Sequence, residues 1–341
     1  MKFIKTLFML AVTLALLGAT AAAGGYFWLK NEIAKPGPST EEQSVTVGSG
    51  ETLNALSTRL EAKGLVSDAR LLRLAARLEL IPTNIRQGEY VIPAGASVTE
   101  IAQTLISDDV ILYRITIPEG LTTAQILRRI EADPVLIGDL PDPLPGEGTL
   151  LPDTYSFSRG TSRAELIALM QEAQAELLAE LWPQRTQDAQ VATPQEAVIL
   201  ASVVQEEAAN LEEIDLISGV FTTRLKRGMK LESDPTVIYG VSGGEPLVNR
   251  KGERRTLYRS ELDRQTPWNT YIIAGLPETP ICNPGKEAIA AVLAPPETEY
   301  LFFVADGQGG HRFSDNYAEH RRNVEAYRAY ERAEIARERA E

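Results

Sequence analysis

Two adjacent glutamates, Glu206 and Glu207, close an otherwise mostly apolar run, Ala197-Val198-Ile199-Leu200-Ala201-Ser202-Val203-Val204-Gln205. Thr193-Pro194-Gln195-Glu196 opens that run as a helix: Thr193 can cap, Pro194 suits the first helical position, and Glu196 completes a capping box. Leu200, Val203, Val204 and Glu207 then fall at i, i+3, i+4 and i+7, so Glu207 continues the apolar face. Glu206 leans about 100° away, toward a more polar side. A carboxylate on a buried face is costly unless paired or protonated, and desolvation raises its pKa. A carboxyl still protonated near neutral pH can donate to a glycosidic oxygen, the requirement of glycan cleavage. The competing reading ends the apolar face before Glu207 and leaves its side chain in water.

Three further segments mix aromatic rings with amides and carboxylates, as sugar sites do. They are Leu151-Pro152-Asp153-Thr154-Tyr155, then Leu231-Glu232-Ser233-Asp234-Pro235-Thr236-Val237-Ile238-Tyr239-Gly240, then Pro267-Trp268-Asn269-Thr270-Tyr271 before the apolar turn Ile272-Ile273-Ala274-Gly275-Leu276-Pro277. Taken singly, each reads better as turn chemistry, with Asp153 and Asp234 as turn caps. Of the two histidines, only His311 falls where it could enter a site, and a structural role in its turn is the stronger reading. Two histidines and one cysteine preclude a multi-histidine metal site and offer no zinc spacing. No GxGxxG or Walker-type loop is present, so nucleotide chemistry has no support.

The elements that must position these groups are legible in outline. A chain of 341 residues with 44% apolar content has room for two or three cores. A net charge of -13 argues against nucleic acid as a partner, since phosphate binding needs dense positive charge. Lys2 and Lys5 precede an uncharged stretch from Thr6 to Leu29, ending at Lys30. At about 1.5 Å per residue it reaches about 36 Å, enough for a bilayer core of roughly 30 Å. The positive flank predicts a cytoplasmic amino end, with everything after Lys30 outside. Small-x-small patterns at Ala19-Thr20-Ala21 and Ala21-Ala22-Ala23 allow a cleaved signal peptide instead. The aromatic cluster Tyr26-Phe27-Trp28 beyond them favours retention.

Residues 31–43, with Pro36-Gly37-Pro38-Ser39, read as a linker. A strand, a glycine turn and an amphipathic helix then recur three times: Val45-Thr46-Val47, Tyr90-Val91-Ile92 and Ile115-Thr116-Ile117 each lead into one. Ser97 with Glu100, and Thr122 with Gln125, predict capping boxes on the second and third helices. A helix after Ser67 should bury Leu71, Leu72, Leu74 and Ala75. The Pro/Gly-rich stretch Asp139–Gly148 marks a boundary near 138/139. Strands are expected at Tyr300–Val304 and from His311, then a charged helix over 316–341 that docks through Val324, Tyr327 and Tyr330 and frays in its last stretch, 329–341.

The ordered set of anchor, Leu151-Pro152-Asp153-Thr154-Tyr155, Ala201-Ser202…Glu207, Ser233–Gly240, Asn269-Thr270-Tyr271, Gly275-Leu276-Pro277 and Phe303-Val304-Ala305-Asp306-Gly307 to His311 resembles the endolytic murein transglycosylases, the MltG or YceG-like family. The resemblance spans nearly the whole chain. It implies an α+β protein of the cell inner membrane: a single-pass anchor over 1–30, a LysM-like module with its connecting unit over 44–138, and a periplasmic catalytic domain over 139–328. Gly50-Glu51-Thr52-Leu53 looks like the opening of such a glycan-binding module, a plain α+β scaffold being the alternative. Glu207 matches the family's catalytic glutamate. Members often carry an acid where this chain has Gln205, which leaves Glu206 as a rival if the helical register differs.

The implied reaction is lytic cleavage of the MurNAc–GlcNAc bond of peptidoglycan to 1,6-anhydro ends, limiting nascent strand length, without metal or other cofactor. Asp153, Tyr155, Ser202, Asp234, Tyr239, Asn269 and Tyr271 are then the candidates for holding the sugar. Glycan strands and the membrane-bound glycan polymerases (penicillin-binding proteins) are the implied partners. The alternatives are a non-catalytic peptidoglycan-binding scaffold for cell-wall synthases, and a hydrolase using water with Asp234 or Asp153 as second carboxylate.

Overall fold

The structure, a computed structural model, describes residues 2–48 and 50–338; the last three residues of the expected fraying end lie outside the described residues. It is a mixed α+β chain that divides into two compact units. The first comprises Met1–Arg114, Val135–Ile137 and Ser156–Thr161, and the second comprises Ile115–Pro134, Gly138–Tyr155 and Ser162–Glu341.

In the first unit, helix α1 (Lys2–Glu32) is long and apolar enough to cross a membrane. Its apolar side chains lie bare until Leu29, which with Ile33 enters the core of this unit. The stretch expected to be a linker is tied down. Ile33 O accepts from Thr99 N at 3.1 Å, Gly37 N donates to Gly95 O at 3.0 Å, and Gly95 N donates to Ser39 O at 2.7 Å. Its Pro/Gly content serves close backbone approach here and not slack. Strands β1 (Gln43–Val47) and β2 (Gly88–Ile92) pair antiparallel from Gln43↔Ile92 to Val47↔Gly88, with Val45 and Val47 turned into the core.

Helices α2 (Leu53–Ala62), α3 (Ala69–Arg77) and α4 (Val98–Thr104) supply the remaining core of this unit, with Leu56, Leu60, Leu72 and Ile101 sealed from solvent. The Ser97–Glu100 capping box forms as expected. In α3 only Ala69, Leu72 and Ala75 are buried; Leu71 is half-buried and Leu74 exposed. A short helix turns a stripe one residue wide toward the core, and the 71/74 pair stands about 100° from the 72/75 pair.

Strand β3 (Leu112–Thr116) pairs with β4 (Thr154–Ser158), and α5 (Thr123–Glu131) follows β3 behind the expected Thr122–Gln125 capping box. The second unit continues with α6 (Arg163–Leu181), α7 (Pro194–Glu207), α8 (Ile214–Lys226), α9 (Asp234–Ser242), the single turn α10 (Arg259–Leu262) and α11 (Lys286–Leu293). Strands β5 (Phe302–Ala305) and β6 (His311–Ser314) form an antiparallel hairpin, and α12 (Tyr317–Glu338) closes the described chain.

Helix α7 is the centre of this unit, packed against α8 and α11. Every residue from Ala197 to Val204 is buried, so the helix has no polar side until its last turn. Thr193 accepts from Glu196 N as a cap, but the Glu196 carboxylate accepts from Ala192 N at 2.6 Å, one residue short of the expected reciprocal box.

The register of α3 is directly testable. Leu72→Ala is expected to lower unfolding free energy by about 2–5 kcal/mol and Leu74→Ala by less than about 1 kcal/mol, measured by denaturant titration of the full chain in detergent. Equal losses would place the wrong face inward.

Candidate active site

Burial of α7 on all sides carries its C-terminal carboxyl, Glu207, to the floor of a cleft of about 350 Å³ in the second unit. Four other elements complete the walls: Arg224 from α8, Asp234 from the start of α9, Phe302 from β5 and His320 from α12, with Tyr271 from an irregular loop. Desolvation pushes the Glu207 carboxyl up to about 7, and the charges of Asp234 and Glu206 add to the rise. Opposing it are the Ser233 hydroxyl and the Arg224 guanidinium. The Ser233 oxygen is itself buried and makes no hydrogen bond among the described residues, so its influence is that of a nearby dipole. Glu207 also ends its helix, where the negative pole of the peptide dipoles disfavours a carboxylate.

Asp234 accepts a 2.7 Å hydrogen bond from the Tyr271 hydroxyl. Burial, and then that bond, raises the Tyr271 pKa, so the phenol stays a neutral donor. The His320 ring stacks on Phe302 with centroids 5.0 Å apart. Burial and the nearby Arg224 charge lower its pKa, which keeps the imidazole neutral at pH 7. The cleft therefore offers one acid of raised pKa, the carboxyl groups of Asp234 and Glu232, one fixed cation and a ring surface, groups able to hold and protonate a polar ligand.

Glu206 occupies a separate hollow of about 210 Å³ with Gly120, Thr122, Tyr239 and Gly244. It keeps surface open to the hollow, yet protein surrounds its carboxyl closely enough that desolvation pushes it up to about 7. Gly120 is required there: its φ is +80°, and a Cβ would lie 2.8 Å from Glu206 Oε1. Beside it, Glu147 accepts from Thr123 N at 2.7 Å, Asn283 Nδ2 at 3.0 Å and the Tyr239 hydroxyl at 3.1 Å. Glu206 therefore meets the more polar side expected of it, but only in the last turn of α7, where the helix emerges from its buried stretch.

Residues 45–326 match the YceG-like family. The chain belongs to that family. An endolytic murein transglycosylase of Bacillus subtilis (strain 168) is 26% identical over 336 residues, covering 89% of this chain and 90% of the relative. One from Streptococcus pneumoniae serotype 2 (strain D39) is 27% identical and is longer; the match covers 90% of this chain and 63% of that protein. The crystal structure of a YceG-like protein from Listeria monocytogenes superposes with a TM-score of 0.52 at 26% identity, covering 83% of this chain and 99% of the other.

In this YceG-like chain, three of the residues singled out from sequence meet in one cleft: Glu207, Asp234 and Tyr271. Tyr239 lines the Glu206 hollow instead. The others spend their polar atoms on the scaffold. Ser202 Oγ donates to Ile199 O at 2.7 Å and accepts from Ile281 N at 3.0 Å. Asn269 Nδ2 donates to Leu262 O and Arg264 O, at 2.9 and 2.8 Å, while its Oδ1 accepts from Tyr271 N. The buried Tyr155 donates to Leu151 O at 2.7 Å, and the exposed Asp153 carboxylate accepts from Thr154 N at 2.6 Å.

His311 has the structural role that was its stronger reading, and the histidine of the cleft is the other one. His311 pairs with Glu213, through its backbone N and through Nδ1, both at 2.7 Å, while His320 lines the cleft. Arg224, Phe302 and His320 were not singled out. The one signal was a single arginine inside the otherwise uncharged helical run Leu216–Leu225.

Because the folded Glu207 pKa lies above its unfolded value of 4.5, this group destabilises the fold progressively as pH rises from about 4.5 through about 7. Glu207→Gln removes that penalty. The variant should therefore gain stability over the parent across that interval and hold the gain above it, as read from denaturant midpoints at each pH. A difference independent of pH would mean a solvated carboxyl.

Proposed function

We propose that this chain is a membrane-anchored lytic transglycosylase that cuts peptidoglycan strands internally at the MurNAc–GlcNAc bond. The observation that carries the reading is a desolvated carboxyl with a pKa raised to about 7, set beside Asp234 and Tyr271 in a cleft of a YceG-like chain. The relatives named endolytic murein transglycosylases support the substrate and the internal cut.

Protonated Glu207 gives its proton to the glycosidic oxygen as the bond from that oxygen to muramyl C1 breaks. The resulting Glu207 carboxylate takes the proton of the muramyl C6 hydroxyl, whose oxygen bonds to C1 and closes the 1,6-anhydro ring. One carboxyl serves both half-reactions, and no water is consumed. A pKa near the working pH suits both roles, since donor and acceptor forms are each accessible. Asp234, held by Tyr271, would carry the negative charge facing the positive charge that grows at C1. Tyr239 would act from the neighbouring hollow.

Helix α1 would remain as a single-pass anchor in the inner membrane, amino end in the cytoplasm. The rest would then lie in the periplasm, where membrane-bound penicillin-binding proteins polymerise strands. The first unit would act as a LysM-like glycan-holding module.

Mass analysis of fragments released from uncrosslinked strands tests the reaction. The wild-type chain should give internal fragments with 1,6-anhydro-muramyl ends, and Glu207→Gln should cut at least about 1,000-fold more slowly, the loss expected when a group acting as both acid and base is removed. Reducing ends would make the enzyme a hydrolase, and binding without cleavage by either protein would make it a scaffold.

A further inference from the structure

Resting on the reaction just proposed, we infer that Arg224 sets the register of cleavage by holding the lactyl carbonyl group of the muramyl residue in the Glu207 cleft. The Arg224 side chain is only 8% exposed, a burial that few guanidinium groups undergo. Three backbone carbonyls hold it: Nε donates to Leu301 O at 2.7 Å, and Nη1 donates to Leu231 O at 2.7 Å and Lys230 O at 3.2 Å. Glu232 Oε2 stands 3.4 Å from the same Nη1. The Phe302 ring centroid lies 5.3 Å from the guanidinium carbon.

Nη2 takes no part in any of these bonds. Among the described residues it has no hydrogen-bond acceptor, and it is not one of the buried polar atoms that lack a partner. Its remaining surface therefore opens into the cleft that Arg224 lines with Glu207. A cation fixed on two nitrogens and free on the third is a pre-oriented donor for an oxygen acceptor, with little side-chain entropy left to lose on binding.

The strand itself names the acceptor. Its two sugars alternate, so two kinds of β-1,4 bond alternate with them. The sugars differ at one place, the 3-O-lactyl group of the muramyl residue. That group ends in a free carboxylate on bare strands and in an amide carbonyl where a peptide is attached, and both present oxygen to a guanidinium. Seating it on Arg224 brings the bond on the reducing side of the muramyl residue to Glu207. A glucosaminyl residue in the same place would leave Nη2 without a partner.

The test uses the full chain in detergent with three substrates: peptide-free strands, peptide-bearing strands and N-acetylglucosamine oligomers of equal length. Binding is measured by calorimetry in the Glu207→Gln background and cleavage by mass analysis. With Arg224 intact, the Glu207→Gln protein should bind both muramyl substrates about 10- to 100-fold more tightly than the oligomers, the value of one charge-assisted hydrogen bond. Arg224→Lys should erase most of that preference through KM while kcat changes less, and should release fragments with muramyl non-reducing ends. A loss confined to peptide-free strands assigns the contact to the carboxylate, and an equal loss on both assigns it to the carbonyl oxygen they share.

Equal binding of all three substrates by the Glu207→Gln protein with Arg224 intact overturns the inference, so it stays decidable if Arg224→Lys does not fold. A folded Arg224→Lys with unchanged KM and cutting register overturns it as well. Arg224-dependent binding in a wild type that cuts nothing would keep the inference and reject the reaction. Cleavage indifferent to Arg224 would do the reverse.

Discussion

Removal of water from one carboxyl is the constraint around which the second unit is organised. Helix α7 is buried on every side from Ala197 to Val204, so its final turn delivers Glu207 into protein surroundings. A helix with one wet side would have let the carboxylate reach solvent and ionise at an ordinary pKa. Helices α8 and α11 pack along α7 and close that route. The start of α9 brings Asp234 to the open side, where its charge adds to the cost of ionising Glu207.

The same burial acts on two neighbouring residues with different results. Glu206 and Glu207 both sit near 7, each raised chiefly by desolvation. Their settings separate them. Glu207 shares its cleft with a cation, a hydrogen-bonded carboxylate and aromatic rings, whereas Glu206 faces a smaller hollow closed by Gly120, Gly244 and Tyr239. Arg224 limits how far the Glu207 pKa climbs, because a guanidinium nearby favours the carboxylate. A cleft without it would hold a weaker acid. The fold thus balances desolvation against the Ser233 hydroxyl and, to a smaller extent, the Arg224 charge, and the balance lands near the pH at which a single carboxyl can both give and take a proton.

Much of this was legible in the chain, and the rest was hidden for definite reasons. The apolar run into Glu207, the Ser97 and Thr122 capping boxes and the strand-turn-helix units follow from local periodicity and cap chemistry, which the structure bears out. Asp234 and Tyr271 reach the cleft because they begin or border elements that converge there. Ser202 and Asn269 have the residue types of sugar ligands, yet backbone groups use their polar atoms, and a short motif cannot distinguish the two fates. Arg224 reads as an ordinary cation in the last turn of a helix until Leu301, far along the chain, supplies its acceptor. His320 lies on the side of α12 that Val324 and Tyr327 mark, but a side with so few apolar residues does not show that its first member enters a cleft. Contacts of that range have no local signature, so the acid could be read from sequence and its counter-charge could not.

The most direct test of this account is the titration of the Glu207 carboxyl itself. Infrared difference spectra of wild type minus Glu207→Gln, recorded from pH 4 to 9, isolate its protonated C=O stretch from every other acid. The account predicts that this band persists past the unperturbed value of 4.5 and fades with a midpoint at about 7. A band already lost by about pH 5 would show a solvated carboxylate, and the single-acid mechanism built on Glu207 would fall.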